Sequence, residues 1–348
     1  MDELERAVFS FKSNSSPGLD GLTAEFYKTF WNEIKHDLYS SYAYSSTSQT
    51  LSFSQTVGVT TLIHKSSALP RNKLEHWRPI TVTNVDYKII AKVLANRLKT
   101  ILPQIISTNQ SGFMKGRNIA QTIRQIDDVL QMAKIKGTSG YILALDFSKC
   151  FERVNHDYVV YSLQKFRFGE NFINWIRILM SNDRGCINNG GWLTDFFDLE
   201  QDLRQGCPMS PLLYLIAAEL LSLKIQQTPT IKGINIPKST DTYKLLQYAD
   251  DTILFLKDQT DLREALAQIK VFSTFSGLIL NQQKSQILPM TNNTIQLEDT
   301  FGMKVTNRVK ILGIHFCTGM SASEVKENYE NLAEKIDIQI KQWSRRNL

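Results

Sequence analysis

Two aspartates, Asp250 and Asp251, stand side by side in LLQYADDTILFL, residues 245–256. Apolar runs flank them, and carboxylates in such surroundings are expensive to leave without a partner. Aspartate is tolerated in tight hairpin turns, so one reading is a solvated turn between two strands. A metal site is the other. Asp146 shifts the balance between them. It is the only acid in the apolar run YILALDF, Tyr141–Phe147. It could cap the helix expected after that run, yet Ser148 already offers a cap. Neighbouring strands of one sheet could bring Asp146 to Asp250 and Asp251. Three hard oxygen donors at one sheet edge suit Mg²⁺. Two such ions, roughly 4 Å apart, clamp the attacking and leaving oxygens of a phosphoryl transfer.

The elements that must position these acids are legible as patterns. YILALDF reads as a buried strand followed at once by a helix, and strands flank Asp250 and Asp251. Before them, SPGLDG (Ser16–Gly21) is a turn, and Thr23 can cap the next helix, with Leu22 and Tyr27 as a hydrophobic staple. SSYAYSSTSQT (Ser40–Thr50) reads as a helix end plus a loop. Residues 57–65, VGVTTLIHK, look like a strand. Val85, Ile89, Val93, Ile101 and Ile105 recur at helical spacing, and a second helix is expected over Ile119–Lys136. INNGG (Ile187–Gly191) is a hairpin turn. Ser210 is placed to cap a helix with Pro211 in its first position. A helix opens near Thr260, with Leu262, Ile269 and Phe272 inward. VKILGIHF (Val309–Phe316) reads as one strand. The last segment carries Val325, Tyr329, Leu332, Ile336 and Trp343 on one helical face. Strands and helices mix without strict alternation, which predicts an α+β fold with an antiparallel sheet.

Bulk properties narrow the classes. A chain of 348 residues is long enough for two or three packed subdomains. Lys and Arg number 40 against 34 Asp and Glu, a formal +6, which permits a polyanionic partner without requiring one. Four cysteines, Cys150, Cys186, Cys207 and Cys317, lie far apart with no C-x-x-C, against a zinc finger or disulfide framework. The N-terminus, MDELERAVFSF, is too charged for a signal peptide. The apolar run Leu212–Leu223 is broken by Glu219 and too short for a bilayer. An intracellular protein in a reducing compartment is expected.

The ordered motifs closely resemble the reverse transcriptases of LINE-class, non-LTR retrotransposons. SPGLDGLTAEFYKTFW is similar to the segment before the fingers, and HWRPITVTNVDYKIIAKVLANRLK to the fingers block. QSGFMKGR follows. ALDFSKCFERV, RQGCPMSPLLY and YADD match the three palm motifs in turn, and SGLILNQQKS and VKILGIHF match the two after them. YADD alone would be a weak signal; the ordered set is highly specific. The resemblance implies a right-hand polymerase fold, with an antiparallel palm sheet backed by helices and largely helical fingers. It implies an RNA-directed DNA polymerase that adds deoxynucleotides to a primer 3′-hydroxyl. RNA template, DNA primer and deoxynucleoside triphosphates are the implied partners, with two Mg²⁺ ions (Mn²⁺ possible) as cofactor. Nucleus and cytoplasm are the implied location. Residues 1–320 correspond to fingers and palm, and 321–348 to the helical start of a thumb or connection.

Roles carry over residue by residue. Asp146, Asp250 and Asp251 are the implied metal-binding, catalytic carboxylates. Phe151 matches an aromatic that excludes a 2′-hydroxyl by steric clash, and would otherwise be core. Gln205 and Gly206 match residues at the incoming nucleotide, where glycine lets backbone approach a ligand. Lys65 and Arg78 match basic residues on the triphosphate. Lys284 matches a lysine near the leaving pyrophosphate, suited to act as general acid. Lys88, Lys92 and Lys99 recur on one helix face, with Arg71 and Lys73 nearby. They are either a solvated stripe or a track for template phosphates. Arg117 is a further template candidate. Met209 stands where the family usually has leucine, a volume-conserving change. Two other readings stay open: a group II intron-like reverse transcriptase, and a truncated, inactive fragment that at most binds RNA.

Overall fold

The computed structural model describes residues 1–66, 69–199, 201–204, 206–235, 242–292, 294, 296–319 and 322–344. The chain divides into two compact units that interleave in sequence. One comprises residues 1–106, 149–220 and 274–278; the other comprises 107–148, 221–273 and 279–348. The mixture of helices with a mainly antiparallel sheet is the α+β class that the patterns predict.

The second unit is built on a five-stranded sheet. Tyr141–Leu145 is its central strand, paired antiparallel with Asp251–Leu256 on one side and Gln286–Pro289 on the other. Leu245–Tyr248 adds to the Asp251–Leu256 strand as a hairpin partner, and Lys304–Val305 runs parallel to Gln286–Pro289 at the other edge. The helix Ile119–Lys136 backs the sheet. Its ends follow from local chemistry: the Asn118 side chain accepts from the Gln121 backbone N–H at 3.1 Å, and Gly137 stops the helix at φ 64°. Ile126, Val129, Leu130 and Ala133 form its inner face and meet Ile142, Ile253, Phe255 and Leu288 of the sheet. Val309, Ile311 and Phe316 close the same core.

The first unit holds a second sheet. Val57–His64 pairs antiparallel with Trp77–Thr83 and parallel with Arg184–Asn189. Arg184–Asn189 then turns through Gly190 and Gly191, both at positive φ, into Trp192–Leu193, so the hairpin expected at INNGG is present. The helix Val85–Ile105 buries Ile89, Leu94 and Leu98, and His156–Lys165 packs beside Glu170–Met180. The first unit therefore holds a sheet of five described strands as well as helices.

Three local expectations need correction. VKILGIHF is not one strand: Arg308–Ile311 and Ile314–Cys317 form a hairpin, because Leu312 and Gly313 both adopt positive φ and reverse the chain. Ser210 is the first residue of its helix, Ser210–Gln227, rather than a cap outside it. Thr23 precedes Ala24–Thr29 in cap position, but its side chain makes no capping hydrogen bond. In the helix Ala322–Ser344, Tyr329, Leu332, Ile336 and Trp343 are all at least 48% exposed, so the apolar face is present and open to solvent. The Val325 side chain lies outside the described residues.

Candidate active site

The strand expected over Tyr141–Phe147 breaks at Asp146. Its backbone N–H donates to Ser285 Oγ at 3.1 Å, and its carbonyl accepts from the Asn281 N–H at 2.7 Å. These bonds take the place of sheet partners, so Tyr141–Leu145 ends and Phe147–Ser148 pairs separately with Ile279–Leu280. Asp146 is thereby fixed just beyond the last paired residue of the central strand. On the neighbouring strand Thr252 pairs with Leu145, which puts Asp251 one step along, beside Asp146. The acidic pair and the turn are one feature. Ala249 and Asp250 are the two-residue loop of a hairpin closed by Tyr248 and Asp251.

Asp146, Asp251 and Lys284 line one cavity of about 110 Å³, together with Gln286, Val309, Lys310 and Ile311. Asp251 keeps an open edge to solvent, but surrounding atoms crowd its carboxylate. Burial first, then the charges of Asp250 and Asp146, push its pKa up to about 6. Among the described residues, no three His, Cys, Asp or Glu side chains are gathered closely enough to hold a metal ion as they stand. The fit to a hard cation is one of donor chemistry: carboxylate oxygens from adjacent strands, with Lys284 and Lys310 in the same lining.

The other expected site residues belong to the first unit, except Arg117. Phe151 lies in the short helix Cys150–Arg153 and stacks on Tyr214, ring centroids 5.1 Å apart. Gly206 has φ 115°, and a Cβ there would meet the Thr81 carbonyl oxygen at 2.8 Å, so no other residue fits without strain. Gln205 lies outside the described residues. Arg78 is exposed on Trp77–Thr83, opposite Ile63. Lys65 follows the partner strand, and its Nζ donates to the Glu75 carbonyl at 2.8 Å. Lys88 and Lys92 are half-buried one turn apart, and burial lowers both pKa values. Arg117, in the second unit, has its Nη1 on the Gln110 carbonyl at 2.6 Å and on that of Ser107. Its guanidinium is thus committed to main chain within its own loop.

Several residues at the site carry no sequence expectation of their own: Asn281 and Ser285, which hold Asp146; Lys310, which shares the cavity; and Gln110 with Gly112, described below. Gln110 and Gly112 were visible only as members of the QSGF run. Their contacts are to backbone far along the chain, which no local pattern reports.

Residues 63–316 match the reverse transcriptase (RNA-dependent DNA polymerase) family. The chain belongs to this family. It is 31% identical over 356 residues to the transposon TX1 uncharacterized 149 kDa protein of Xenopus laevis, a match covering 99% of this chain and 26% of that protein. It is 26% identical over 227 residues to the Pol polyprotein of the type-1 retrotransposable element R2 of Popillia japonica, covering 65% of this chain and 31% of that one. It is thus a reverse transcriptase of the LINE-class, non-LTR kind, and it spans about a quarter to a third of the length of these curated relatives. Among solved structures, telomerase of Candida tropicalis in complex with a fragment of telomeric RNA superposes with a TM-score of 0.53 at 15% identity. That match covers 83% of this chain and 47% of the other. The reverse transcriptase chain accordingly has the right-hand polymerase fold. No described helix is long and apolar enough to cross a membrane.

Proposed function

We propose that this chain is the polymerase core of a non-LTR retrotransposon reverse transcriptase, copying RNA into DNA from a primer 3′-hydroxyl. The observation that carries the reading is the pairing of the central strand with the YADD hairpin. It sets Asp146 beside Asp251, with Asp250 on the adjoining turn, in a chain of this family. Asp146, Asp250 and Asp251 would hold two Mg²⁺ ions. When bound, such ions activate the primer hydroxyl and neutralise charge on the leaving pyrophosphate.

The remaining work falls to the chain's own side chains. Lys284, on the rim of the cavity with Asp146 and Asp251, offers a positive charge and a proton for the departing pyrophosphate. Arg78 and Lys65 would bind the triphosphate; Lys65 must first release the Glu75 carbonyl. Gly206 leaves room for nucleotide against backbone, beside Gln205. Phe151, braced by Tyr214, would reject a 2′-hydroxyl and so favour deoxynucleotides. Lys88, Lys92 and Arg117 are weaker template candidates, since burial or local hydrogen bonds already engage them. Residues 1–320 would form fingers and palm, with 321–348 leading towards a thumb.

An intron-encoded enzyme is the competing activity. The putative COX1/OXI3 intron 1 protein of Saccharomyces cerevisiae is 27% identical, but over 49% of this chain; the TX1 match spans 99%. The retrotransposon reading is therefore preferred. The test is primer extension on oligo(dT)–poly(rA) with Mg²⁺, offering dTTP and UTP separately and comparing Asp250→Asn. Extension with dTTP, little with UTP and none by the variant is the expected result. No extension from folded wild-type chain at low salt and high protein concentration would refute the activity of this chain.

A further inference from the structure

A buried glutamine grips the catalytic turn. Gln110 is 1% exposed, yet both polar atoms of its carboxamide have partners. Oε1 accepts from the Ala249 N–H at 2.9 Å and from the Gly112 N–H at 2.7 Å. Nε2 donates to the Ala249 carbonyl at 3.1 Å. Both main-chain polar groups of Ala249 are thus held by one side chain 139 residues away in sequence. Only this orientation of the amide satisfies all three partners; the flipped one would face two N–H donors with its NH₂.

The grip answers a need. Ala249 has φ 55°, a strained left-handed conformation that a residue with a Cβ keeps only where its surroundings impose it. The surroundings do so here. The Gln247 N–H donates to the Asn109 carbonyl at 2.8 Å, and the Ser111 N–H to the Gln247 carbonyl at 2.9 Å, so residues 109–111 run alongside the hairpin as a short bridge. Arg117 holds that bridge from behind through the Gln110 carbonyl. A Cβ at residue 112 would meet the Ala249 nitrogen at 2.1 Å, so only glycine allows so close an approach.

We propose that Gln110 is a positioning residue: by clasping Ala249 it fixes where Asp250 and Asp251 present their carboxylates. The proposal rests on the polymerase reading for its kinetic consequence but not for its structural one. Misplacing a reacting group by about 1 Å can cost about 10²-fold in rate, so the effect belongs in kcat.

The test uses the full chain with Gln110→Ala and the same-shape Gln110→Glu, which keeps an acceptor but loses the donor to Ala249. Hydrogen exchange at the Ala249 and Gly112 amides is measured beside primer extension. The expected result for both variants is a kcat at least tenfold lower, with the KM for dTTP within about threefold. Gln110→Ala should also show at least tenfold faster exchange at Ala249, while Ile253–Phe255 exchange as in wild type. Wild-type kcat in folded Gln110→Ala, or unchanged exchange at Ala249, would overturn the proposal. So would exchange that rises equally across the sheet, with activity lost only in proportion to unfolded chain, because Gln110 would then be ordinary packing. Should wild type not extend primers at all, the polymerase reading fails, and local exchange at Ala249 still decides the grip.

Discussion

At the scale of single residues, Asp251 shows what assembling the site costs. Its ordinary pKa of 3.8 rises to about 6, first through burial and then through Asp250 and Asp146. The folded chain therefore binds this proton more tightly than the unfolded chain. The contribution to stability is fully present below pH 3.8 and is lost as pH rises through 6. Asp251→Asn should thus raise the urea midpoint at pH 8, leave it nearly unchanged at pH 4, and abolish primer extension at pH 8. Equal midpoints at pH 8 would show that the carboxylate carries no such strain. Such an opposition of stability and activity is expected where like charges are held together for chemistry. Nothing in the sequence reported the strain; ADD could equally have been a solvated turn. The hairpin pairing removed the choice by making it a turn and an acidic cluster at once.

At the scale of elements, the loop leading to the Ser210–Gln227 helix is anchored by a buried ion pair. Arg204 Nη2 lies 2.9 Å from Asp183 Oδ1, with the two side chains 2% and 5% exposed. The same guanidinium donates to the Thr56 carbonyl and lies 5.5 Å over the Tyr87 ring. Burial pushes Asp183 up to about 7 despite the arginine that opposes it. Removing one partner of such a pair costs about 3–5 kcal/mol, whereas replacing both by apolar residues is often neutral. Arg204→Met should therefore lower stability by about that amount, and Arg204→Met with Asp183→Leu should recover most of it, both read from urea unfolding. Failure of the double variant to recover would mean that the carbonyl and ring contacts, rather than charge pairing, set the loop. In sequence, Arg204 reads only as the first letter of RQGCP, because its partner lies 21 positions earlier in a segment of no marked pattern.

At the scale of the whole chain, the implied functions divide between the two units. The three aspartates and Lys284 lie in one; Lys65, Arg78, Phe151 and Gly206 lie in the other. The polypeptide passes between the units after residues 106, 148, 220, 273 and 278, so neither is a contiguous stretch that could be excised. The net charge of +6 is modest for a chain that would hold RNA. Its affinity for single-stranded RNA should fall linearly in a log–log plot against salt, with a slope of about −0.7 per phosphate contacted. Replacing exposed Lys99 by glutamine should shallow that slope more than replacing half-buried Lys88. An equal or opposite order, measured by filter binding from 50 to about 300 mM salt, would place the template track elsewhere.

The sequence by itself determined the family and the order of its motifs, and it singled out the three acids as candidates, because those depend on residue type and spacing. It also placed a helix at roughly Ile119–Lys136, where the structure has one, bounded by the local chemistry of Asn118 and Gly137. Only tertiary structure decided that the central strand stops at Asp146, where Asn281 and Ser285 supply the hydrogen bonds. It alone split VKILGIHF into a hairpin and tied Arg117 to its own loop. It alone gave Gln110 its hold on Ala249. Side-chain bonds to distant backbone leave no periodicity, and a buried amide in an unremarkable run shows its partners only when the chain is folded.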